Sequence, residues 1–185
     1  EESSLEYWQL IKDFGKPYWM TEGGTGSHEW PDALTGVGAG IYNSLVAGNA
    51  SAWVPWQIAS ASGEKNTHAL MAGKQQTKKT HVVKHFTRWI DAGAVRLHVD
   101  GDSAPLRVTA FHQPADGTLS VIAINPDTQA HELALTIRDL PVQTFAAYRT
   151  SATEDHEDID PVQVMDGRAA LTLPEQCIVT LTARP

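Results

Sequence analysis

The residues best suited to chemistry lie in the run Lys16-Pro17-Tyr18-Trp19-Met20-Thr21-Glu22-Gly23-Gly24-Thr25-Gly26, where an apolar segment ends in a carboxylate followed by glycines. Tyr18 to Thr21 has the aromatic and β-branched bias of a short strand. The glycines after it let the chain turn sharply without a side chain in the way. Glu22 is therefore expected at the carboxyl end of a strand, which in barrels of alternating strands and helices is the end where catalytic groups project. An ionised carboxylate there can act as a nucleophile. The same position also suits a solvated loop residue.

Four other groups carry possible chemistry. His28-Glu29-Trp30-Pro31-Asp32 follows in the same loop: His28 and Trp30 could contact a substrate, and Glu29 or Asp32 could in principle supply a second carboxyl. Asp32 reads better as the cap of the next helix. Trp53 and Trp56 flank Pro55. Three residues apart, they point to opposite faces of a regular strand unless Pro55 introduces a bulge, and either could offer an indole face to a ligand or fill a core. His81 and His85 are four apart on a helical pattern, but no third metal ligand is evident, so a structural or solvent-facing pair is the better reading. Glu154, Asp155, Glu157, Asp158 and Asp160 do not have the spacing of a calcium-binding EF-hand loop and read as a solvated turn. No metal or cofactor is expected.

The elements that must position these groups change character along the chain. Leu5, Trp8, Leu10 and Ile11 form a helical stripe with Gly15 as its stop; a strand follows at Tyr18–Thr21. Leu34, Val37, Ile41 and Leu45 recur at helical spacing up to Gly48-Asn49, and Ala50 to Ile58 reads as a second buried strand. Helix, strand, helix, strand is the signature of βα units in a parallel sheet. Residues 65 to 80 read as an irregular basic loop, and Val82, Val83, Phe86, Trp89 and Ile90 mark an amphipathic helix ending before Gly93. From Ala94 the period becomes two. Segments beginning at Val95, Leu106, Leu119, Leu133, Thr144, Val162, Ala169 and Ile178 are short and turn-bounded, with hairpin signals at Pro114–Gly117 and Asp166-Gly167, and imply an antiparallel sandwich.

Composition narrows the function classes. The 185 residues carry 42% hydrophobic residues and a net charge of -8, so a globular core is affordable and a general nucleic-acid binder is disfavoured. No apolar run approaches the roughly 20 residues of a membrane span. The one cysteine, Cys177, excludes an intrachain disulfide and lies in an apolar run, as a buried structural thiol would. Lys65, Lys74, Lys78, Lys79, Lys84 and Arg88 form an acid-free basic stretch. It reads as a solvated face.

Taken in order, the Trp19-Met20-Thr21-Glu22 strand end, the Trp-rich strand one βα unit later, the helix His81–Ile90, and Gly93-Ala94-Val95-Arg96-Leu97 leading into a sandwich resemble the carboxyl-terminal portion of glycoside hydrolase family 30, a family of retaining enzymes. Tyr148-Arg149-Thr150-Ser151, Asp166-Gly167 and Leu173-Pro174 extend the resemblance over nearly the whole chain. It implies a partial (β/α)8 barrel, about its last two βα units, over residues 1–93, followed by a β-sandwich side domain over 94–185. It also implies that Glu22 matches the nucleophile closing the seventh barrel strand. Trp56, with Trp53 as second choice, matches the aromatic sugar platform of the eighth. A full barrel needs about 250 residues, and the family's general acid/base has no counterpart before Glu22. The expectation is thus a hydrolase of a β-linked carbohydrate, secreted or periplasmic, inactive without the remaining barrel segment, a partner chain or self-association. The alternative is a non-catalytic carbohydrate-binding or scaffolding sandwich.

Overall fold

The computed structural model describes residues 2–60, 67–101 and 104–184. It divides into two compact units, Glu1–Thr80 and His81–Pro185.

In the first unit, helix α1 (Glu2–Ile11) runs into a short 3-10 turn, Lys12–Phe14, closed by Gly15 in the left-handed conformation. That is the stop expected of this glycine. Among the described residues the apolar stripe is largely uncovered: Leu5 and Leu10 are exposed, Trp8 and Ile11 are half-buried, and Ser4 is the buried residue of the helix; Phe14 in the turn beyond is 72% exposed. Strands β1 (Trp19–Gly23) and β2 (Ala52–Pro55) pair in parallel, as the alternation of elements required, with Trp19 opposite Ala52, Met20 opposite Trp53 and Gly23 opposite Pro55. Three residues of β1 are thus spanned by two of β2, so the register shifts between Met20 and Gly23.

The helix between them differs in detail from the simple helix expected. Ala33–Gly38 is a π-helical turn that continues into α2 (Ala39–Val46). Of the four positions expected to face inward, Leu34, Val37 and Ile41 are buried and Leu45 is half-buried. Asp32 does not cap it. Its own backbone is already helical and its side chain makes no capping bond, while the first amides are taken by the carbonyls of Glu29 and Pro31.

The basic stretch is also more ordered than an irregular loop. Met71–Ala72 (β3) and Gln75–Gln76 (β4) form a small hairpin turning at Gly73, and helix α3 begins at Lys78 and runs to Thr87. Lys65 lies outside the described residues.

In the second unit all eight strands appear: β5 (Val95–Leu97), β6 (Arg107–His112), β7 (Leu119–Asn125), β8 (His131–Thr136), β9 (Thr144–Thr150), β10 (Asp155–Gln163), β11 (Arg168–Leu173) and β12 (Cys177–Ala183). Six make one sheet in the order β10-β9-β12-β7-β6-β5, and β8 pairs with β11 in a second. Alternation sorts the large sheet's side chains. Val108, Val121, Phe145, Val179 and Leu181 join Leu133, Ala169 and Leu173 in the core between the sheets. The neighbouring positions Ser120, Tyr148, Thr150 and Thr180 fall on the other side of the pleat. They meet α3: Ser120 donates to the carbonyl of Trp89 just beyond the helix, and Thr150 and Thr180 hold His85.

The acidic run is strand, not turn. Asp155, Glu157, Asp158 and Asp160 lie in β10, the edge of the large sheet, with register shifts, a left-handed His156 and Pro161. Charges, bulges and proline are features that keep an edge strand from pairing with another chain. Cys177 is fully buried, and burial pushes its thiol up to about 12, as suits a structural thiol.

Candidate active site

Glu22 is the penultimate residue of β1, exposed, at the strand's carboxyl end. What surrounds it is held by backbone contacts. The amide of Trp56 donates to the carbonyl of Gly23 at 2.8 Å, so β2's exit is tied to β1's exit one residue past the carboxylate. The indole of Trp53 lies directly over Gly23: a Cβ built at that glycine would sit 2.5 Å from Trp53 Cε2, Cζ2 and Nε1. Gly23 is therefore required by close approach and not merely by the turn. At Gly24 a Cβ would come within 3.2 Å of the Trp56 carbonyl oxygen.

The two tryptophans have different settings. Trp53 is inside β2, half-buried and packed over the residue after Glu22, whereas Trp56 lies just past the strand end, 51% exposed, with a cis peptide to Gln57. Of the two, Trp56 has the more exposed side chain.

The loop after β1 is fastened to the loop after β2 at several points. His28 donates from Nε2 to the carbonyl of Ala69 at 3.0 Å, which fixes the proton on that nitrogen. The ring of His68 packs against Gly26, 3.1 Å from where a Cβ would be. Thr25 packs against Gly36 on the π-helical turn, where a Cβ would meet the threonine Cβ at 2.7 Å. Lys78 places its ammonium 5.9 Å from the centroid of Trp30, within reach of a cation–π attraction. His28 and Trp30 are thus half-buried fastening residues of this loop. Glu29 and Asp32 are exposed; the Glu29 amide bonds to the Ser27 hydroxyl.

Sequence reasoning missed Lys79. Within the basic stretch it read as one more solvated lysine, yet it is 0% exposed, with Nζ 3.1 Å from the Thr25 carbonyl oxygen and 2.5 Å from that of Thr67. The signal for it was helical phase: Lys79 stands three residues before Val82, so an inward helix face carries both. The basic face loses this member, while Lys74 and Arg88 are exposed.

His85 is also settled by its neighbours. Thr180 gives its hydroxyl proton to the His85 carbonyl and so accepts from Nδ1–H at 2.8 Å; Thr150 accepts the His156 amide and gives its proton to Nε2 at 2.9 Å. Both ring nitrogens are engaged, and this side chain is structural. Among the described residues no group of three or more His, Cys, Asp or Glu is arranged to hold a metal ion.

Comparison with known proteins follows the same lines. No family model matches the chain. It is 24% identical over 180 residues to the glucuronoxylanase XynC of Bacillus subtilis, a match covering 94% of this chain and 41% of that protein. Its fold is similar to part of a GH30 endoxylanase from Clostridium papyrosolvens, with a TM-score of 0.83 and 21% identity over 95% of this chain and 44% of the other. A family 30 subfamily 8 xylanase from Clostridium acetobutylicum gives 0.84 and 21%, covering 96% of this chain and 45% of that one. The resemblance to family 30 read from the strand end, the tryptophans and the sandwich is thereby borne out. The chain spans about two fifths of the length of the relatives it matches.

Proposed function

We propose that this chain is the carboxyl-terminal part of a retaining glycoside hydrolase of the family 30 type, cleaving a β-linked xylan, with Glu22 as the attacking carboxylate. The observation that carries this reading is the placement of Glu22 at the exit of β1, with the next residue locked under Trp53 and bonded to the exit of the adjacent parallel strand. A nucleophile must be held at a fixed distance and angle to the anomeric carbon, because misplacement by about 1 Å can cost on the order of a hundredfold in rate. Two strand exits joined backbone to backbone supply that rigidity.

In the retaining reaction, Glu22 attacks the anomeric carbon while a second carboxyl, about 5 Å away, protonates the departing oxygen; the same group then activates water to release the sugar from the Glu22 ester. Residues 1–93 are the barrel part in this reading and residues 94–185 the side sandwich. The acid/base belongs to barrel strands other than β1 and β2, so the chain by itself is inactive. Its partner is the remaining barrel. The exposed Leu10, Phe14, Trp19 and Ile58 give that segment apolar surface to cover. A cleft of about 690 Å³ beside β8, lined by Leu97, Leu106, Val121, Leu133, Leu135 and Leu140, leaves room for further side-domain strand. Trp56 is the sugar platform, an apolar indole face against the C–H surface of a pyranose. Glucuronoxylan, the substrate in the name of the B. subtilis relative, is the first polymer to try; a polymer of that size is met outside the cell, which accords with a secreted or periplasmic enzyme.

The test is Glu22→Gln in the protein with its complete barrel, assayed on β-1,4-xylan with and without glucuronyl branches. Loss of at least about a thousandfold in kcat with substrate still bound is expected for removal of a group that acts in the transition state. Full activity in that variant overturns the assignment.

A further inference from the structure

Lys79 is the one fully buried lysine among the described residues, and its partners among them are two backbone carbonyls. Burying a charge costs several kcal/mol unless acceptors replace its water. Here the acceptors are the backbone carbonyls of Thr25, three residues after Glu22, and Thr67, in the loop after β2. A methionine of similar length would fill the space without that cost. What the ammonium adds is a bond to each of two loops.

Thr25 is clamped from both sides. Its side chain fills the notch left by Gly36, and its carbonyl is taken by Lys79. The far loop is anchored in turn to the first turn of α3: the hydroxyls of Thr77 and Thr80 donate to the Leu70 carbonyl at 2.8 and 2.6 Å. Lys79 therefore ties the segment that carries the carboxylate to a helix start that is itself fixed.

We propose that Lys79 is a positioning residue for Glu22, holding the loop after β1 at the setting from which the carboxylate attacks. It touches neither substrate nor reacting atoms and acts through the Thr25 carbonyl. The proposal rests on the reading of Glu22 as nucleophile.

Lys79→Met and Lys79→Gln, made in the protein with its complete barrel beside Glu22→Gln, test it. The readouts are kcat and KM on xylan, the rate at which a 2-fluoro-xylobioside esterifies Glu22, and the melting temperature. Lys79→Met is expected to melt no lower than the parent, to lose at least tenfold in kcat and in esterification rate, and to keep KM within about threefold. Lys79→Gln, which retains N–H donors for one carbonyl, is expected to recover part of the loss. A Lys79→Met protein that esterifies at the parental rate overturns the positioning role while leaving Glu22→Gln inactive and the nucleophile assignment intact. A kcat loss matched by a fall in melting temperature and relieved when the assay is cooled reduces Lys79 to a stability element and also overturns it. An active Glu22→Gln removes the nucleophile reading and this proposal with it.

Discussion

The two units solve opposite problems with the same backbone material. In the sandwich unit, the central strands β7 and β12 are buried on both faces, and two of the polar side chains at depth are matched: Asn125 donates to three backbone carbonyls, and His85 is held by two threonines. In the unit with β1 and β2, large apolar side chains stand in the open, among them Trp19, Val54, Trp56 and Ile58. Order at the strand exits comes from point contacts between loops. The lesson is that the strand exits beside Glu22 are ordered by a few backbone bonds and close contacts, whereas the sandwich is ordered by packing between its sheets.

Predictions that break or sharpen this contrast begin with the core. Phe145 is 0% exposed between the sandwich sheets, and Phe145→Ala should cost about 3–5 kcal/mol of stability. Denaturant titration would check it; a loss below about 1 kcal/mol would mean that the sandwich is no better packed than its neighbour.

Acid should act next most strongly. Burial, reinforced by the nearby His156 and His81, holds the pKa of His85 well below 6.5; His156 is lowered too, first by burial and then by Lys84 and Arg88. The folded unit therefore keeps these imidazoles neutral while the unfolded chain protonates them. Their contribution is present above pH 6.5 and is lost as pH falls toward the folded values, by up to about 1.4 kcal/mol per pH unit for each. Melting curves between pH 7 and 5 should show this slope, and His85→Asn should flatten it. An unchanged slope would contradict the neutral, doubly bonded His85.

The smallest stability effect belongs to the site. Half of Trp56 is already in solvent, so Trp56→Ala should cost about 1 kcal/mol or less in stability. On the proposed function, the same change in the protein with its complete barrel should raise KM for xylan about fivefold or more, as loss of a stacking face would. A large stability loss with unchanged KM would instead make Trp56 a packing residue.

Much of the fold was legible because pattern and physics agree over long stretches. The sandwich strands alternate with period two, and each is closed by a turn; Asp166 and Gly167 both take left-handed conformations, as the two-residue hairpin demands. Parallel pairing of β1 with β2 followed from the alternation of elements. What sequence did not disclose depends on partners remote along the chain. Lys79 reads as solvent-facing until the carbonyls of Thr25 and Thr67 are brought to it. Asp155 to Asp160 read as a turn because charge was taken for a loop signal, when on an edge strand charge is compatible with pairing along one side. Asp32 looked like a cap because its residue type suits one; the carbonyls of Glu29 and Pro31 had already taken the amides. At the site itself, Glu22 and the exposed Trp56 were visible as candidates, but the closeness of Trp53 to Gly23 was not.

That closeness makes the two positions a heritable pair. With tryptophan at 53 there is no room for any side chain at 23, so a lineage can exchange the glycine beside the carboxylate only after, or together with, a smaller residue at 53. A single-step route through alanine at 23 with the indole in place would have to displace either the ring or the strand exit it covers. Sequence drift beside Glu22 is therefore gated by Trp53, in another strand.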